Sequence, residues 1–129
     1  MNNFTNHIFF ISAERHDRPS MVNSVNSLDL HYQLKREFDS VIPVTGCYNG
    51  VTEQSYLVSV PFSDVSRAKT VLERIAASYD QDCIAYVDNE RVLTLLFSND
   101  NTVRLGVLKQ APNATDNFTE LNGVKYATE

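Results

Sequence analysis

The chain has 129 residues, of which 43% are hydrophobic and 21% charged, and its formal net charge is -5. That length holds one domain, spanning 1–129, and the composition is that of an ordinary soluble globule. An acidic balance without any basic run argues against nucleic acid as a partner, and no apolar run approaches the roughly 20 residues a membrane span needs.

The N-terminal MNNFTNHIFF lacks the basic start and small-residue cleavage site of a signal peptide, so a cytoplasmic location is expected. In that setting Cys47 and Cys83 read as two reduced thiols. His7, His16 and His31 do not cluster with them at metal-ligand spacing, and four glycines leave no phosphate loop. Neither metal nor cofactor is expected.

HIFFISAE (7–14) is a buried strand by its aromatic and β-branched content. ERHDRPSMVNSVNS (14–27) is polar, with Ser and Asn able to cap a helix. Leu30, Leu34 and Phe38, with Leu28 and Tyr32 beside them, predict an amphipathic helix ending near Asp39. SVIPVTGCY (40–48) and SYLVSVPF (55–62) predict an antiparallel pair of strands. SDVSRAKTVLERIAASYD (63–80) is the clearest element: Ala68, Val71, Leu72, Ile75, Ala76 and Tyr79 trace one helical stripe. Three further strands follow at 82–88, 91–98 and 102–110, and the tail from about 111 is polar.

This order predicts an α+β, ferredoxin-like (PII-like) β-α-β-β-α-β domain. It would have an antiparallel sheet, two helices on one face and an extra C-terminal β-hairpin. The other sheet face would need cover. Ile84, Tyr86, Leu93, Leu95 and Phe97 make it apolar enough to meet another subunit, so a ring with ligand sites between subunits is expected.

The stretch VTGCYNGVTEQ (44–54) sets Tyr48 and Glu53 on either side of a tight loop. Taken alone, a tyrosine and a glutamate there are ordinary hairpin surface. Yet ISAER (11–15), TGCY (45–48), TEQ (52–54), YDQDC (79–83) and FTELNGVKY (118–126), in that order, give the chain a wider likeness. It resembles the small bacteriophage S-adenosylmethionine lyases, long called SAM hydrolases.

The resemblance implies cleavage of S-adenosylmethionine to 5′-methylthioadenosine and L-homoserine lactone. It also implies depletion of the host's supply against restriction, and a homotrimer with active sites between subunits. By position Tyr48 and Glu53 take the two catalytic roles. Ser12 and Arg15, where the first strand ends, and Gln81 and Asp82, after the second helix, are candidate substrate-binding residues. Against this, polar residues after a helix routinely satisfy backbone groups, and Arg15 could be plain surface. Ile42 and Val44 are candidates for an apolar lining around the sulfonium. The rival reading is a non-catalytic PII-like module that binds a nucleotide, S-adenosylmethionine or a host protein. The short NGVT loop and the few basic residues near it favour the enzyme.

Overall fold

The computed structural model of the chain describes residues 6–128. Its elements run β1 (His7–Ser12), α1 (Ser20–Glu37), β2 (Val41–Tyr48), β3 (Val51–Val60), α2 (Val65–Ser78) and β4 (Cys83–Val87). Then come β5 (Val92–Phe97), β6 (Thr102–Gln110), β7 (Phe118–Leu121) and β8 (Val124–Thr128).

β1 is buried at all six positions. Successive side chains leave a strand on opposite faces, so this strand must be covered twice. Phe9 and Ile11 pack with Leu30 and Leu34 of α1 and with Leu72 and Ile75 of α2. Ile8 and Phe10 point the other way, into a second cluster with Val44, Leu57, Val87, Leu108 and Leu121.

The stripe predicted for α2 is the face it buries, from Ala68 to Ala76. A 3-10 turn at Phe62–Asp64 leads into it, and Arg67 grips Asp64 with two hydrogen bonds of 2.9 and 3.0 Å. α1 starts well before the predicted amphipathic segment. Its first residue, Ser20, follows Pro19, whose φ of -57° already suits a helix. Only Ser27, Leu30 and Leu34 are buried along it, while Met21, Val25, Leu28 and Tyr32 face solvent. The first two turns therefore show no inward apolar stripe for a sequence pattern to detect.

All strand pairs are antiparallel, in the circular order β1-β3-β2-β7-β8-β6-β5-β4, and β4 returns to β1. The molecule is a closed eight-stranded barrel with two helices outside it. This overturns the ferredoxin-like (PII-like) open sheet, and the cause lies after β4. A register shift at Leu93/Thr94 and Gly106 at φ 121° bend β6, as a bulge does. The segment expected to be a polar tail then supplies β7 and β8. They turn through Asn122 and Gly123 at φ 52° and 79°, the left-handed pair that a two-residue hairpin loop requires. β7 joins β2 and β8 joins β6, which closes the circle.

The face expected to meet another subunit is thus filled from within the chain. Of the residues assigned to it, Ile84 and Tyr86 turn to the helices, and Leu93 packs against the barrel interior. Among the described residues no helix is long and apolar enough to cross a membrane.

Leu121 tests the closure, because it is buried only if the last hairpin belongs to the barrel. Leu121→Ala should lower stability in urea, followed by circular dichroism, by about 2–5 kcal/mol. A change within about 0.5 kcal/mol, the range of ordinary surface positions, would mean that the hairpin does not seal the interior.

Candidate active site

Glu53 lies on the β3 face that looks into the barrel, opposite Gly46 of β2. Gly46 makes room for the neighbouring Ser55: a Cβ there would sit 3.1 Å from Ser55 Oγ, and only in ordinary contact with Glu53 Cγ at 3.8 Å. Ser12, the last residue of β1, pairs with Ser55, and both are buried. The Ser12 hydroxyl donates to the Gln54 carbonyl at 2.9 Å and lies near enough to the Glu53 carboxylate to favour its charged form. The end of the apolar run in β1 is therefore where the barrel interior turns polar.

The charges here are of one sign. Burial raises the Glu53 carboxyl above its ordinary range, and the nearby Glu14 carboxylate raises it further, against the Ser12 hydrogen bond. Glu14 accepts from Ser27 Oγ at 3.1 Å and from Gln54 N–H at 3.2 Å. Among the described residues neither Glu14 nor Glu53 forms an ion pair. Cys83, at the start of β4, feels the same environment. Burial, then Asp82 and Glu53, push its thiol up, which keeps it protonated and unreactive.

Tyr48 closes β2 beside the Asn49–Gly50 turn and pairs with Val51. It shares the Glu53 face of the sheet but is 73% exposed. Segment 115–117 holds this hairpin. Gly50 N–H donates to Asp116 O at 2.9 Å, Asn49 N–H donates to Asn117 Oδ1 at 3.1 Å, and Cys47 Sγ sits 3.5 Å from Asp116 O.

Arg15, Gln81 and Asp82 gather elsewhere, along an open groove of about 630 Å³ that also takes in Asp17, Arg18 and Ser98. Arg15 is committed there, with both Asp17 carboxylate oxygens at 2.9 Å and the Asp80 carbonyl as partners. The structure thus brings Ser12 to Glu53, groups Arg15 with Gln81 and Asp82, and leaves Tyr48 on the exposed hairpin. Gln81 links the two places, since its Nε2 donates to the Glu14 carbonyl at 3.0 Å. Of the two residues considered for an apolar lining, Val44 is buried in the barrel core and Ile42 packs against it.

Sequence reasoning passed over Glu14 and Ser55. Glu14 lies inside the ISAER motif, but nothing in one dimension shows its carboxylate beside residues 53 and 54. Ser55 had no signal beyond its place in a strand.

At the polar end of this closed antiparallel barrel Glu14 and Glu53 lie close together, with no ion-pair partner among the described residues. A model of the S-adenosylmethionine lyase family matches residues 9–129, which include every candidate residue above. No curated protein matches the chain. The chain belongs to the S-adenosylmethionine lyase family, and it is an enzyme that cleaves S-adenosylmethionine.

The Glu53 shift has a consequence for stability. A carboxyl whose folded-state pKa is raised binds more protons folded than unfolded between its two pKa values, so stability falls as pH rises through that window. Glu53→Gln should therefore be more stable than wild type at pH 7, with the difference shrinking as pH falls through the raised range of the folded carboxyl and gone below the ordinary glutamate range. Thermal melts across pH 4–8 read this directly. A variant less stable than wild type at pH 7 would contradict the assigned environment.

Proposed function

We propose that Glu53 holds the α-ammonium of S-adenosylmethionine while the substrate's own carboxylate displaces the sulfur. The observation that carries this reading is a half-buried carboxylate, close to a second one, with no cation among the described residues paired to it. A desolvated carboxylate in that state attracts a ligand cation.

The reaction asks little else of the protein. The substrate carboxylate attacks the γ-carbon, a C–O bond forms, and the C–S bond breaks with its electron pair left on sulfur. 5′-Methylthioadenosine and L-homoserine lactone result with no proton transferred, so neither a general base nor a protein nucleophile is required. Holding the two reacting groups in line is worth roughly 7–11 kcal/mol in well-oriented intramolecular reactions. Positive charge on sulfur falls as the transition state forms, so a carboxylate beside sulfur would stabilise the ground state instead. Glu53 therefore belongs at the ammonium. Tyr48 offers an aromatic face or a hydroxyl to the same end of the substrate, and a cation over such a ring gains about 0.5–2 kcal/mol.

Ser12 orients Glu53, and Arg15, Gln81 and Asp82 are proposed to meet substrate from the groove, across a boundary between copies. The homotrimer with shared sites remains part of this proposal. It is supported by the exposed Tyr48 and Val51 at the tip of the hairpin, which leave this side of the site uncovered by the chain itself. The biological role we infer is that of a bacteriophage protein acting in the host cytoplasm, where it removes S-adenosylmethionine and blunts restriction.

Incubation of the purified protein with S-adenosylmethionine, followed by liquid chromatography and mass spectrometry, should yield methylthioadenosine and homoserine lactone in equal amounts. Loss of one charge-assisted hydrogen bond, about 1.5–3 kcal/mol, predicts a 10–100-fold fall in kcat/KM for Glu53→Gln. Tyr48→Ala should lose about 2–30-fold by the cation–π range above. Wild-type activity in a folded Glu53→Gln protein would sink the assignment, and light scattering that shows only monomers would remove the shared site.

A further inference from the structure

The β1–β3 ladder stops at Ser12 and Ser55. One residue on, Gln54 still has a backbone N–H and a carbonyl to satisfy, and two side chains take the place of the missing strand. Ser12 Oγ donates to the Gln54 carbonyl at 2.9 Å, and the Glu14 carboxylate accepts from the Gln54 N–H at 3.2 Å. Unmet groups of this kind are costly inside a protein, so the substitution fixes the backbone next to Glu53.

Glu14 is itself held on three sides. Its second carboxylate oxygen accepts from Ser27 Oγ of α1 at 3.1 Å, its N–H donates to Ser12 Oγ at 3.1 Å, and its carbonyl accepts from Gln81 at 3.0 Å. One side chain therefore ties the exit of β1 to α1 and to the start of the active strand. A glutamine could accept from Gln54 and donate to Ser27 at this place, so hydrogen bonding alone does not call for a carboxylate. The charge is surplus to the architecture, and among the described residues nothing cationic pairs with it.

We infer that Glu14 is a positioning residue for Glu53 whose surplus charge is balanced by the substrate's ammonium group. This rests on the reading that Glu53 binds the ammonium. Two effects follow, and they are separable. The hydrogen bonds of Glu14 set where Glu53 stands, which governs turnover. Its charge adds to the attraction for a cationic substrate and makes Glu53 harder to ionise in the empty site. The titratable groups around the pair are few. Glu14 faces Glu53 from the exit of β1, Cys83 from β4 and Tyr56 from β3, while Ser12 and Ser27 contribute hydroxyls; Asp82 acts on Cys83 from the turn before β4.

The test compares Glu14→Gln and Glu14→Ala with wild type in the product assay, each over pH 4–9, with Glu53→Gln alongside. Glu14→Gln keeps the shape and removes the charge. It should raise KM about 3–10-fold, with kcat falling less, and move the acid limb of kcat/KM to lower pH because Glu53 ionises more readily. Glu14→Ala should lower kcat as well. If it fails to fold, the KM and pH shifts of the glutamine variant decide the matter alone. Wild-type KM and an unmoved acid limb in Glu14→Gln, with kcat/KM of Glu53→Gln lowered as predicted above, would overturn this inference and leave the Glu53 assignment standing. Full activity in Glu53→Gln would overturn both.

Discussion

Everything in this structure hangs on a first strand that is apolar on both sides. Phe9 and Ile11 require the helices, while Ile8 and Phe10 require something on the opposite face. With about 25 cal/mol gained per Å² of apolar surface buried, leaving either side open would forfeit several kcal/mol in a domain this small. A subunit could have supplied the second cover. The chain supplies it instead, by bending β6 and adding a hairpin that brings Leu108 and Leu121 over the strand.

The site inherits its position from that strand. Ser12 is where the apolar run ends, so it is the first polar group at the edge of a dry interior. Glu53 stands beside it across β3, close enough to the core to lose solvent and close enough to the end to meet a ligand. Its raised carboxyl, made harder to ionise by burial and by the neighbouring Glu14 charge, is a destabilising feature at neutral pH. The proposed role accounts for it, since a carboxylate already paired with a protein cation would have little affinity left for an ammonium group.

Much of this was legible from sequence, and the failures have particular causes. The stripe of α2 was unmistakable because five buried residues recur at helical spacing. The first half of α1 was invisible because its large apolar residues point to solvent. The barrel was missed through the tail. FTELNGVKY carries an Asn-Gly pair between apolar alternations, the same hairpin signal that joins Tyr48 to Val51, yet its polar neighbours made it look like an ending. Ser12 and Glu53 were both placed among the site residues, and the pairing of β1 with β3 brings them together. Glu14 was beyond reach, because its importance depends on a ladder that stops one residue short.

The tail matters for a second reason. The segment that leads into the closing hairpin also holds the Tyr48 turn, through Asp116 and Asn117. Closing the barrel and fixing the exposed edge of the site are therefore one structural act. An intramolecular displacement needs a substrate folded against itself, and a reaction of that kind is governed by the rigidity of what grips it more than by any reactive group. A closed barrel has no free edge to shift, and two-residue turns allow little slack. In so small a domain, and with Tyr48 and Glu53 in their proposed roles, rigidity at the two ends of this hairpin is what the fold offers the reaction. One end is fixed by the side-chain ladder at Gln54 and the other by the latch at residues 116 and 117.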